Sequence, residues 1–317
     1  YKKMDNSRAI RKTCYSITQN QIWEIFKELN MMGDNMILIT GANGQLGYDF
    51  QRLFDSLGTK YIATDIADFD ITDEKSIDDF FLKHTNISLI INCAAYNDVD
   101  KAESEIELCN KLNAEAPVNL AKKAKEIGAI FVTYSTDFVF GGDLKNPYAE
   151  EDMPNPPSIY AKSKRLGEIS VLEEYEKVFI IRTSWLFGVA NSNFNTQVIN
   201  WSKDCTELSI VDDQLSSPTY SKDLAYYSWK LINTNLYGLY HITNSGSCSK
   251  YDQAKYVLDK IGWTGNLRRI KTEDLNLSAK RSKFSKLDST KVENTINEKI
   301  PSWEDAVDRY FQEKELL

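Results

Sequence analysis

The chain has 317 residues, of which 42% are hydrophobic and 26% charged, with 14 Gly and 7 Pro. That composition belongs to one or two globular domains and excludes a disordered, collagen-like or low-complexity chain. The 38 Lys and Arg against 46 Asp and Glu leave a net charge of −8, which argues against a nucleic-acid or anionic-membrane surface but permits a local phosphate pocket. No apolar run approaches a membrane span and no secretory signal opens the sequence, so a cytoplasmic protein is expected. Cys14, Cys93, Cys109, Cys205 and Cys248 are odd in number, widely spaced and without a CxxC pair, as reduced thiols would be. Only His84 and His241 are present. The first is expected at an exposed helix end and the second in a buried strand, so an acid or base would be another residue type.

Residues 1–35 read as an extension without a catalytic role. Thr18 and Gln21 have capping-box spacing, and Ile22, Ile25, Phe26 and Leu29 then recur at helical spacing. From Met36 the chain alternates. Met36–Thr40, Tyr61–Thr64, Ser88–Cys93, Ala129–Ser135 and Val178–Thr183 are short apolar runs. Amphipathic stretches separate them, one of them expected over 113–127 and stopped by Gly128. Continuous apolar strands between helices predict an α/β fold, a doubly wound parallel sheet of Rossmann type covered on both faces. The expected division is a dinucleotide-binding part over 36–185 and a smaller, mainly substrate-binding part over 186–317, with some segments returning to the sheet.

The first strand runs into Gly41-Ala42-Asn43-Gly44-Gln45-Leu46-Gly47, which opens a helix. Glycines in this position allow a tight turn and a close approach of backbone to a pyrophosphate, and the helix N-terminus offers free N–H groups. Asp65, at the end of the second strand, is placed to bond ribose hydroxyls and would repel a 2′-phosphate. The acidic loop that follows brings Asp70 and Ile71 towards an adenine.

Tyr160 and Lys164 stand four residues apart, a spacing that puts both side chains on one helix face. An ammonium there should lower the phenol pKa, and such a tyrosine can protonate a carbonyl oxygen as hydride reaches the carbon. Tyr226/Lys230, Tyr251/Lys255 and Tyr256/Lys260 repeat the spacing and read as surface pairs. Tyr160 differs in following Tyr134-Ser135-Thr136-Asp137 at the end of the fourth strand. A hydroxyl at that edge, Thr136 or alternatively Ser135, would give a ketone its second donor.

With these residues in hand, the chain resembles the extended short-chain dehydrogenase/reductases, and among them the dTDP-4-dehydrorhamnose reductases. The resemblance runs from about Met36 to Phe311 through TGANGQLG, NCAAYNDVDKAE, YSTDFVF, YAKSKRLGE, RTSWLFG, VDDQLSSPT and GLYHI. It implies hydride transfer from NADPH or NADH to C4 of a dTDP-linked 4-keto-6-deoxy sugar, as the last step of dTDP-rhamnose synthesis for cell-surface polysaccharide. By position it implies Thr136, Tyr160 and Lys164 as the catalytic set. Gly41, Asn43, Gly44, Gln45, Leu46, Ala94, Ala95, Tyr96 and Lys164 would hold the cofactor. Val99, Asp100, Asp137, Trp185 and Arg281 would face the substrate, with Arg281 near the diphosphate. A monomer or homodimer is expected. Mg²⁺ dependence is reported for some relatives, but no acidic cluster in the sequence calls for a metal. Two other readings are open: a reductase or epimerase of another nucleotide sugar, and a non-catalytic dinucleotide-binding subunit resembling methionine adenosyltransferase β. Ser216 stands where the family has Gly, Ala161 where Gly is common, and Ser282 where Pro is usual. These departures are expected to alter loop shape rather than chemical groups.

Overall fold

The computed structural model describes residues 35–315. The Thr18–Leu29 helix expectation lies outside them. Six parallel strands form the main sheet: β1 (Met36–Thr40), β2 (Tyr61–Thr64), β3 (Ile87–Asn92), β4 (Ile130–Thr136), β5 (Val178–Thr183) and β10 (Gly238–His241). Their spatial order is β2-β1-β3-β4-β5-β10, and every pairing is parallel. The predicted runs match these strands to within a residue at either end. Both faces are covered, as continuous apolar strands require. On one side α1 (Gln45–Leu57) buries Leu46, Phe50 and Phe54 against Ile37, Ile39 and Ile91. On the other, α2 (Glu74–Lys83), α4 (Ala116–Ile127) and α5 (Ile159–Glu174) enclose Leu38, Ile90, Phe131 and Ile180.

The chain goes from β1 to β2 on one side, then crosses back to β3 on the other. This reversal opens a crevice at the carboxyl ends of β1 and β3, where doubly wound sheets bind their ligands.

The helix expected over 113–127 begins earlier. A short α3 (Ile106–Asn110) passes into one π-helical turn, Lys111–Glu115, before α4. Pro117 has no N–H for the Asn113 carbonyl and its ring crowds that oxygen, so the helix widens locally instead of breaking.

Most of the remaining described chain packs around a separate apolar cluster of Phe187, Val198, Tyr220, Val257, Trp303 and Tyr310. Its elements include β6 (Leu186–Phe187), α6 (Phe194–Asp204), β7 (Glu207–Val211), β8 (Leu215–Ser216), β9 (Thr219–Tyr220), β11 (Cys248–Ser249), α8 (Lys250–Lys260), β12 (Asn266–Ile270) and α10 (Trp303–Glu313), whereas α7 (Ser221–Ile232) and α9 (Thr290–Ile296) bury Leu224, Trp229 and Val292 in the main-sheet cluster with Phe50 and Phe54. The strands form small pairs, β6 with β9, β7 with β12 and β8 with β11. Of these later elements only β10 joins the main sheet, beside β5. No described helix is long and apolar enough to cross a membrane.

A charged group is locked inside this frame. Arg182 on β5 is fully buried and forks onto Glu168 of α5, with Nε and Nη2 each 2.7 Å from a carboxylate oxygen. Its guanidinium lies on the Phe140 ring, and its Nη1 is 3.3 Å from His241 Nε2. His241 Nδ1 is 3.1 Å from the Tyr148 carbonyl. The network therefore assigns the proton to Nδ1 and leaves Nε2 to accept from Arg182. His241 is buried, as expected; His84 is instead half-buried against the Phe80 ring. Burial first, and the Arg182 charge second, push the His241 pKa down to about 3. Between pH 6.5 and 3 the unfolded chain binds the extra proton, so stability falls as pH drops through that window. At pH 5 this site should cost about 2 kcal/mol relative to pH 7. Urea midpoints at the two pH values should separate more in the wild type than in His241→Asn, and equal separations would show that His241 is not the group responsible.

Candidate active site

The glycine turn is built as the spacing requires. Gly41 has φ +65°, and a Cβ there would lie 2.6 Å from the Ala94 nitrogen at the end of β3. A Cβ on Gly47 would come within 2.4 Å of the Gly41 carbonyl. The turn, β3 and α1 thus meet at backbone distance. α1 starts from Gly44 with no side-chain cap and no acid in its first turn, so the amides of Gln45 and Leu46 remain to receive a phosphate. Asn43 N–H donates to Asp65 Oδ2 at 3.1 Å and Ile66 N–H to Oδ1 at 2.9 Å, which fixes the carboxylate at the rim of the turn. The residues present fit a dinucleotide.

A second loop reaches this turn that sequence reading did not single out. Asn191 donates from Nδ2 to the Asn43 carbonyl at 2.7 Å, and Gln45 Nε2 donates to the Asn191 carbonyl at 2.8 Å. The Gln45 side chain therefore holds protein, leaving its backbone for a ligand. The acidic loop also turns inward. Asp70 Oδ1 accepts from Thr72 N–H and Oγ1–H, which holds its carboxyl below the usual range, and Ile71 is buried in the core.

Past β3, Ala94 and Ala95 lead into Tyr96, which is clamped by Asn113. The Asn113 side chain accepts from Tyr96 N–H and donates to its carbonyl, each at 3.0 Å, and also meets Ser163 Oγ on α5 at 3.1 Å. One asparagine in the π turn thus ties the loop after β3 to the helix carrying Tyr160. Only the widened helical turn marks it.

α5 begins at Ser158, whose hydroxyl accepts from Ala161 N–H at 3.3 Å. Tyr160 and Lys164 are both buried. Tyr160 packs with Tyr96 and Val99 and meets the Phe138 ring edge-on at 6.2 Å. Burial drives its phenol pKa well up, while a hydrogen bond with Thr136 acts in the opposite sense. The hydroxyl beside Tyr160 is therefore that of Thr136. Ser135, on the other face of the strand, is buried with no hydrogen-bond partner for its hydroxyl among the described residues. The expectation that Lys164 lowers the phenol pKa is corrected: its Nζ donates to the Tyr134 carbonyl at 3.1 Å, and burial lowers its own pKa to about 8.

Asp137 is a heavily bonded carboxylate of the cleft. Its Oδ1 accepts from Thr136 Oγ1 at 3.2 Å, and its Oδ2 from Ser216 at 2.9 Å and Ser285 at 2.5 Å. Burial still raises its pKa to about 6. Here a second expectation is corrected. Ser216 changes a chemical group as well as a loop, because it adds a donor to this carboxylate. Asp100 and Arg281 are brought together, with Nη2 to Oδ2 at 2.6 Å, and Arg281 lies over Phe138. Trp185, just past β5, is half-buried and has φ +46°, a left-handed conformation that costs a bulky residue energy and is found mostly at functional sites. Among the described residues no group of three or more His, Cys, Asp or Glu side chains is placed to hold a metal ion.

A family model described as "RmlD substrate binding domain" matches residues 35–316. The chain belongs to this family. It is 35% identical over 278 residues to the spore coat polysaccharide biosynthesis protein SpsK of Bacillus subtilis, covering 88% of this chain and 97% of that one. It is 33% identical to the dTDP-4-dehydrorhamnose reductase of Streptomyces griseus, covering 86% and 92%. Among solved structures it resembles the dTDP-4-dehydrorhamnose reductase of Bacillus anthracis in complex with NADP, at TM-score 0.85 and 38% identity, covering 88% and 99%. The protein is thus an oxidoreductase of the dTDP-4-dehydrorhamnose reductase family, built on a Rossmann-type sheet.

Proposed function

We propose that the protein reduces the C4 ketone of dTDP-4-dehydro-L-rhamnose, giving dTDP-L-rhamnose as the closing step of that sugar's synthesis. The observation that carries this is the buried Thr136–Tyr160 pair at the carboxyl edge of β4, next to a turn shaped for a dinucleotide. NADH or NADPH, when bound, supplies the hydride. Gly41, Asn43, Gly44, Gln45 and Leu46 hold the pyrophosphate by backbone, Ala94, Ala95 and Tyr96 line the crevice, and Lys164 anchors the nicotinamide ribose. Asp65, with Asp70 and Ile71 behind it, receives the adenosine end. Thr136 donates to the ketone oxygen and Tyr160 gives it a proton. Val99, Asp100, Asp137, Trp185 and Arg281 surround the sugar nucleotide.

The test is loss of reduced-nicotinamide absorbance with dTDP-4-dehydro-L-rhamnose formed in situ by the upstream epimerase. Oxidation that requires the sugar supports the reading. No oxidation by folded protein overturns it in favour of another nucleotide sugar.

The same assay reads coenzyme preference. Residues 65–73 contain no Lys or Arg, and the Lys111 charge acts on Asp70. A 2′-phosphate would meet the fixed Asp65 carboxylate, so KM for NADPH should exceed that for NADH by about tenfold, the scale of one unfavourable charge contact. Asp65→Asn should narrow the gap. Equal KM values in the wild type would show that Asp65 does not discriminate.

A further inference from the structure

Lys250 has no part in the assignments above, yet its position is costly. It is the first residue of α8, where the helix dipole disfavours a cation. It is half-buried, and among the described residues it forms no ion pair with a carboxylate. Its Nζ lies instead 3.7 Å from the Trp185 ring centroid and 4.5 Å from that of Phe194. Desolvation lowers its pKa to about 7. A ring face compensates only part of what an ammonium loses on leaving water, and an ammonium carries three donors that a ring cannot satisfy as hydrogen bonds.

Two independent paths place this ammonium beside the reacting groups. Thr183 pairs with Thr136 across β5 and β4, and Trp185 follows two residues later. Cys248 pairs with Ser216 across β11 and β8. Ser216 donates to Asp137, and Asp137 accepts from Thr136. Lys250 lies two residues beyond Cys248, near enough for the Asp137 and Lys250 charges to act on each other.

We propose that Lys250 is a substrate-binding residue that donates from Nζ to a hexose hydroxyl next to the reduced carbon, on the Trp185 wall of the cleft. The proposal rests on the nucleotide-sugar reading. It assigns the lysine to the hexose rather than the diphosphate, because the contacts that locate it lead to Thr136, and the phosphates lie a ring's width from the carbon that Thr136 serves. Trp185 and Lys250 then form one surface. The indole covers an apolar sugar face, and the ammonium on that ring selects for a hydroxyl at its edge.

The experiment measures binding of dTDP-L-rhamnose and of dTDP alone by calorimetry, with NAD⁺ present, to wild type, Lys250→Met and Lys250→Arg. Sugar and NADH KM values are taken on the same proteins. A lost charged hydrogen bond should weaken dTDP-L-rhamnose binding and raise the sugar KM about tenfold or more in Lys250→Met. Affinity for dTDP and KM for NADH should stay within twofold, and Lys250→Arg should keep most of the sugar affinity. Unchanged binding of dTDP-L-rhamnose overturns the proposal, and so does an equal loss for dTDP, which would place the cation on the diphosphate. If the Met variant does not fold, Lys250→Gln is judged by the same criteria. Wild-type protein that binds dTDP but not dTDP-L-rhamnose overturns the sugar reading itself, and with it the proposal, before any substitution is made.

Discussion

Tyr160→Phe should lower turnover by about 10²- to 10⁴-fold, the range a positioned proton donor supplies, with NADH affinity close to wild type. Burial keeps the phenol protonated at neutral pH, which is the form a donor needs. In the proposed reaction the ketone oxygen needs a proton as it becomes an alkoxide, and the Tyr160 hydroxyl beside Thr136 is the proposed source. The substitution removes one oxygen. The ring still packs on Tyr96, Val99 and Phe138, so the fold and the dinucleotide turn remain. Single-turnover rates together with NADH titration separate the two effects. A variant that turns over at the wild-type rate would remove Tyr160 from the chemistry.

Glu168→Ala should cost about 3–5 kcal/mol, the usual price of stranding a buried charge. Arg182 would lose both arms of its carboxylate fork and keep only the His241 contact and the Phe140 ring. Burial opposes ionisation of Glu168, yet the Arg182 bonds hold its pKa below the ordinary value, so each member of the pair depends on the other. The double variant Glu168→Leu with Arg182→Met should lose clearly less than the single Ala variant, since the only charge it leaves unpaired is that of Arg165, which is part-exposed to solvent. Urea midpoints decide the matter. Losses that simply add would mean that the two residues are not coupled. Because α5 carries Tyr160 and Lys164, the single variant should also lower activity before global unfolding is reached.

The sheet was legible because its strands are buried on both faces and so appear as unbroken apolar runs. The turn was legible because glycine is irreplaceable where Gly41 meets Ala94. The Tyr160–Lys164 spacing was not sufficient alone, and the structure shows why its three repeats differ. Lys230, Lys255 and Lys260 each pair with a carboxylate, whereas Lys164 is buried and donates to a strand carbonyl. What escaped sequence reading depends on long-range meetings. Ser216 and Ser285 converge on Asp137 from 79 and 148 residues away. The role of Asn113 needs a π turn that no periodicity announces. The phenol's environment was misjudged because helical spacing records that Lys164 shares a face with Tyr160, but not that its ammonium is engaged elsewhere or how much water has left.

The return of β10 to the main sheet has a consequence for how the chain comes to be folded. Until residues 238–241 have been synthesised, β5 is paired on its β4 side only, and the edge that receives Leu239, Tyr240 and His241 stays open. A nascent chain ending near residue 185 would therefore present an unpaired, largely apolar edge of the kind that templates aggregation. The buried guanidinium on that strand would also lack its His241 contact. The main sheet is thus completed by a segment encoded well after its other five strands, so its assembly must wait for most of the chain.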